Sequence, residues 1–167
     1  CSAVLVVCPL SVVDVWPSEF KKHAPDGYDP EICVLNEGRS VAEKAKLMHR
    51  ALAAGRGRNR PVIVVVNYES AWREPLGASI LTVAWDLVIL DESHRIKSPG
   101  GKASMYCARL GLKAKRKLCL TGTPMPHSQL DVFGQWRILD ASTFGDNWFS
   151  FQHQFAQMEQ REVFIRG

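Results

Sequence analysis

The stretch WDLVILDESHRIKS, residues 85–98, decides the fold. Its first six residues are almost all apolar, the pattern of a strand buried on both faces. The run then stops at two adjacent carboxylates, Asp91 and Glu92, followed by Ser93, His94 and a basic residue. Neighbouring carboxylates repel each other, so such a strand tip is costly unless a cation or a reaction uses the pair. In an open parallel sheet, ligands sit beyond the carboxyl ends of the strands, which is where this pair falls. An isolated Asp–Glu pair also fits a solvated acidic turn, so the surrounding sequence has to decide.

Four more apolar, largely β-branched runs flank this one: AVLVV (3–7), EICVL (31–35), PVIVVV (61–66) and RKLCL (116–120). Helical patterns lie between them. Ser40 and Glu43 form a capping box ahead of Val41, Ala45, Met48 and Leu52 at helical spacing. Ser128 and Asp131 form a second box, opening QLDVFGQWRIL, and WFSFQHQFAQM (148–158) reads as an amphipathic helix. VVDVWPSEFKKHA (12–24) is helical in pattern, with Pro17 in the first turn if Asp14 is the cap. Strands alternating with helices imply an α/β three-layer fold with a mainly parallel sheet and helices on both faces.

A chain of 167 residues, 46% hydrophobic, suits one globular domain with a core. Lys and Arg number 21 against 17 Asp and Glu, and this mild basic excess permits a polyanionic partner without requiring one. Arg56, Arg58 and Arg60, like Lys113, Lys115, Arg116 and Lys117, form clusters that read as solvated faces or as phosphate contacts. The five cysteines are scattered with no Cys-x-x-Cys pair, which points to a reduced, intracellular protein and away from a disulfide framework or zinc site. No apolar run approaches the ~18 residues of a membrane span. The opening CSAVLVVCPLS lacks an initiator methionine and a basic leader and reads as the middle of a strand, so the sequence is expected to be a fragment.

Two further strand ends carry distinctive residues. LCLTGTP places Thr121, Gly122 and Thr123 after an apolar run, a short hydrogen-bonding loop able to touch a neighbouring carboxylate or a phosphate. VVCPLSVVDVW places Pro9, Leu10 and Ser11 where a strand ends and a helix starts, a place where phosphates bind. The aromatics Trp136, Trp148, Phe149, Phe151 and Phe155 read as packing residues.

Taken together these segments resemble one family. LDESHRIKS resembles the acidic box of superfamily-two helicase-like ATPases, and LTGTP resembles the next motif, which couples nucleotide and nucleic-acid binding. VVCPLSVVDVWPSEFKKHAP, VIVVVNYESA and PMPHSQLDVFGQWRILDASTFGDNWFSFQHQFA are similar to the Swi/Snf branch of double-stranded-DNA translocases. Ser93 stands where that branch usually has alanine, and His127 where asparagine is common.

The resemblance implies most of a RecA-like first lobe, truncated at the N-terminus, that uses ATP and Mg²⁺. It implies Asp91 as the metal-holding residue and Glu92 as the water-activating one, with His94, Thr121, Gly122 and Thr123 coupling. Pro9, Leu10, Ser11, Tyr68 and Glu69 become the DNA contacts. The family's phosphate-binding loop of the Gly-x-Gly-Lys-Thr type is not found in residues 1–167, since GRGRNRP lacks the Gly-Lys-Ser/Thr ending. The second lobe with its arginine finger is likewise missing from this stretch, which by itself is expected not to hydrolyse ATP. The implied function is ATP-driven movement on double-stranded DNA. The alternative is a nucleic-acid-binding or scaffolding domain that keeps the fold without hydrolysis.

Overall fold

A computed structural model describes residues 2–36 and 38–156. The five apolar runs become five strands: β1 (Ala3–Cys8), β2 (Glu31–Leu35), β3 (Val62–Asn67), β4 (Trp85–Asp91) and β5 (Ala114–Leu120). They form one sheet in the order β2-β3-β1-β4-β5, and every pair is parallel. Parallel neighbours need crossover connections, and helices supply them. The elements in chain order are α1 (Trp16–His23), α2 (Val41–Gly57), α3 (Tyr68–Ala71), α4 (Leu76–Leu81), α5 (Lys102–Gly111), α6 (Phe133–Leu139), α7 (Ala141–Phe144) and α8 (Trp148–Phe155). The expected three-layer α/β architecture is the one observed.

β1 and β3 occupy the middle of the sheet, and their runs of valine, leucine and isoleucine are buried on both faces. One face packs on α2 to α6 through Leu5, Leu35, Met48, Val64, Leu90 and Leu110. The other, carrying Val4, Val6, Ile63 and Val65, meets Val13 together with Trp16 and Phe20 of α1. β5 departs from the expectation of a strand buried on both sides. Among the described residues it pairs with β4 alone, and it exposes Lys115, Arg116 and Leu118, because an edge strand has one neighbour and less cover.

Both capping boxes are present, Ser40 with Glu43 and Ser128 with Asp131. The second opens a 3-10 turn (Gln129–Val132) that runs into α6. Asp14 is not a cap. The chain is already in helical conformation at Val15, whose amide bonds the Val12 carbonyl, so α1 continues a preceding turn and Pro17 still falls in its first turn. Asp14 instead accepts a hydrogen bond from Asn36 at 3.2 Å. α8 covers the first part of the expected C-terminal helix, while Gln157 and Met158 lie outside the described residues. Phe151 sits among Phe133, Phe144, Trp148 and Phe155, whereas Phe149, expected to pack, is 78% exposed.

Cys8, Cys33, Cys107 and Cys119 are free thiols. Burial pushes the Cys8 and Cys107 thiols up to about 12, so they remain protonated core residues at neutral pH. No helix among the described residues is long and apolar enough to cross a membrane.

Candidate active site

Strand register brings the three motifs to one edge. Cys8 is level with Asn67, Val7 with Leu90, and Asp91 with Leu120. The residues that follow each strand, Pro9, Tyr68, Glu92 and Thr121, therefore share the carboxyl edge of the sheet.

β4 ends in an abrupt backbone reversal. Glu92 takes φ 48° and ψ 51°, left-handed for a residue that carries a Cβ. Such a conformation costs roughly 1–2 kcal/mol and persists where surrounding structure enforces it. The reversal answers the repulsion posed by the sequence, because the two carboxylates have different partners. Asp91 Oδ1 accepts from the Glu92 amide at 3.0 Å. Glu92 Oε2 lies 3.2 Å from His94 Nδ1 and accepts from the Thr121 hydroxyl at 3.4 Å. His94 Nδ1 and Thr121 Oγ1 are 3.0 Å apart, which closes a triangle between the acidic turn and the threonine loop. Thr121 Oγ1 also accepts from the Thr123 amide at 3.1 Å, folding the loop back on itself. Gly122 has open space around it, and the Thr123 side chain faces solvent.

Tyr68 and Glu69 lie beside this triangle with different roles. Tyr68 is 3% exposed and donates its hydroxyl to the Asp91 carbonyl at 2.9 Å, holding the tip of β4. Glu69 is open to solvent and pairs with Arg95 at 3.0 Å. Burial opposes the ionisation of Glu69, but the Asn67 amide and Arg95 outweigh it and hold the carboxyl below its usual range. Pro9 is buried, and it precedes a 3-10 turn (Leu10–Val12) that leaves Leu10 and Ser11 exposed at the same edge. A cleft of about 890 Å³ opens elsewhere, at the amino edge of the sheet near Ser2, Arg56, Asn59 and Asp86. None of the residues of the three motifs at the carboxyl edge lines it.

Sequence reasoning missed Arg95 as the partner of Glu69, and it missed Gln135, which bonds Ser93. The pairs are 26 and 42 residues apart, so no local pattern announces them.

Residues 1–164 match the SNF2-related domain family. The chain belongs to that family. The SNF2-related domain described here resembles the Sulfolobus solfataricus SWI2/SNF2 ATPase core in complex with dsDNA, with a TM-score of 0.69 and 27% identity. The match covers 92% of this chain and 28% of that one. The all-parallel sheet with its flanking helices is thus the RecA-like arrangement of that core. Curated relatives include the mouse "DNA excision repair protein ERCC-6-like", 28% identical over 85% of this chain, and the Drosophila melanogaster "Transcription termination factor 2", 31% identical over 85%. An Arabidopsis thaliana "CHD3-type chromatin-remodeling factor CHR7" is 30% identical over 84%. The SNF2-related domain spans only 10–12% of the length of these three proteins.

Proposed function

We propose that this SNF2-related domain belongs to an ATP-driven motor that moves on double-stranded DNA inside the cell, with a second RecA-like lobe of the same protein completing the site. The observation that carries the reading is the Glu92–His94–Thr121 triangle beside the Asp91 carboxylate. It joins the acidic motif to the threonine loop at the edge where such sheets bind ligands.

The donor set suits Mg²⁺. That ion takes oxygen ligands, keeps several waters and commonly uses only one or two carboxylates. Asp91 offers a hard oxygen at the strand tip, and no group of three or more His, Cys, Asp or Glu side chains among the described residues forms a protein cage. An ion held by Asp91, water and ATP phosphates fits this better than one enclosed by protein. When bound, Mg²⁺ neutralises charge developing on the phosphates. Glu92 takes a proton from the attacking water. His94 and Thr121 fix the direction of its carboxylate, so that little reorganisation is needed as the proton moves.

The Ser11 hydroxyl and the turn amides of Leu10 and Ser11 after Pro9 contact DNA phosphates, and Glu69 borders the same sheet edge. The Glu69–Arg95 pair links that surface to the acidic turn, because Arg95 directly follows His94. Gly122, unhindered by neighbours, lets the threonine loop change shape between Thr121 and Thr123.

The test uses the intact protein, with ATP affinity and DNA-stimulated hydrolysis measured for Glu92→Gln and Asp91→Asn. Glu92→Gln keeps its shape and loses basicity, so turnover falls by about 10²–10⁴ while ATP binding survives. Asp91→Asn weakens Mg²⁺-dependent binding as well as turnover. Hydrolysis by Glu92→Gln within about threefold of the parent, far short of a general-base effect, removes Glu92 from its assigned role. A parent that never hydrolyses ATP on DNA leaves the non-hydrolysing DNA-binding reading in its place.

A further inference from the structure

Gln135 of α6 is 7% exposed and uses both ends of its amide. Its Oε1 accepts from the Ser93 hydroxyl at 3.0 Å, and its Nε2 donates to the Pro124 carbonyl at 2.9 Å. Ser93 is fully buried and begins the 3-10 turn (Ser93–Ile96) of the acidic motif. Pro124 follows Thr123 in the threonine loop. One side chain therefore bonds both loops of the triangle from behind.

The helix that carries it is firmly held. Gly134 lets α6 press against the turn, since a Cβ there would overlap the Ile96 carbonyl oxygen. Arg137 donates to the Pro99 carbonyl at 3.0 Å and to the Ser104 hydroxyl at 2.8 Å. Phe133 is buried against Trp148 and Phe151, with ring centroids 5.3 and 5.1 Å away. A fixed helix gives a fixed amide.

We propose that Gln135 is a positioning residue that sets the spacing between the acidic turn and the threonine loop, and through it the contact of Thr121 with Glu92. The Thr121–Glu92 bond of 3.4 Å is already near the limit of a hydrogen bond, so a small shift of either loop breaks it. Between Thr121 and Pro124 the loop is held from within by the Thr123 amide on the Thr121 hydroxyl, and Gly122 adds no packing. The hold of Gln135 on Pro124 ties the loop to the body of the domain. A hydrocarbon of equal length would fill the space, but it would leave the buried Ser93 hydroxyl without its acceptor.

The catalytic consequence rests on the motor reading, whereas the clamp itself can be read without turnover. In the intact protein, Gln135→Met is compared with Ser93→Ala and with the double variant. Gln135→Met lowers DNA-stimulated kcat by about tenfold, the order of one lost hydrogen bond, and leaves the KM for ATP within about twofold. The double variant removes both polar partners, so its melting temperature returns toward that of the parent. Its kcat stays low, because nothing positions the threonine loop. A kcat that recovers together with stability, or never falls, overturns the proposal and leaves Gln135 a purely structural residue. If the parent shows no hydrolysis, the motor reading has failed, and amide exchange at Thr123 decides the clamp. Faster exchange in Gln135→Met, with the β1 and β3 amides unchanged, supports it. Unchanged exchange at Thr123 overturns it.

Discussion

Thr121 has one hydroxyl and three neighbours: Glu92, His94 and the Thr123 amide. That oxygen spreads the charge of the Glu92 carboxylate into the loop, and it aligns the imidazole by sharing Nδ1. Thr121→Val keeps the branched shape and deletes all three contacts. The site is partly open, so water replaces some of what is lost, and stability should change by about 0.5–1.5 kcal/mol. On the proposed motor reading, turnover should fall while ATP affinity holds, because Thr121 would align the base without gripping the nucleotide. Denaturant melts beside ATP binding and hydrolysis check this. An equal loss of affinity and turnover would move Thr121 into the binding machinery.

At the scale of elements, α6 is the strut on which the site leans, and its closest approach is made by a glycine. Gly134→Ala places a methyl group against the Ile96 backbone, which cannot swing aside as a side chain can. Overpacking of this kind costs about 1–3 kcal/mol. Gly57, at the end of α2, has no neighbour within reach of a Cβ. Gly57→Ala should be neutral or stabilising by up to about 1 kcal/mol. Urea denaturation of the two variants gives opposite signs if close approach, rather than glycine itself, is what matters at Gly134. The strands were legible because β1 and β3 lie mid-sheet and need apolar residues on both faces. α2 was legible through Ser40 and Glu43, a cap written within four residues. α5 escaped notice because Gly101 precedes it and supplies no capping side chain. α4 has only six residues, fewer than two turns. In the site, Asp91, Glu92 and Thr121 could be read because each directly follows or ends an apolar run. The left-handed backbone of Glu92 and the reach of Gln135 could not, since both depend on contacts made by distant parts of the chain.

The molecule as a whole is stapled at the end of β4 opposite its acidic tip. Asp86 accepts from Lys115 Nζ at 2.7 Å and from the Ser2 amide and hydroxyl at 2.6 and 2.8 Å, joining the starts of β1, β4 and β5. The Lys115 ammonium, followed by the Ser2 groups, holds the Asp86 carboxyl well below its usual range. A carboxyl with a depressed folded pKa contributes stability above its unfolded value, about 3.9. That contribution is lost as pH falls through the folded pKa. Asp86→Asn should therefore melt below the parent at neutral pH, and the gap should narrow as pH drops below about 4. Thermal melts across that window test it, and a gap that widens in acid would contradict the staple. Global stability is one quantity, only about 5–15 kcal/mol in such domains, to which every residue adds or subtracts. The left-handed backbone of Glu92 subtracts, since it is a conformation that only glycine adopts freely. Laboratory evolution rewarded only for heat resistance would thus be drawn to Glu92→Gly. On the proposed reading of Glu92, the survivors would be sturdier proteins without the carboxylate that activates water.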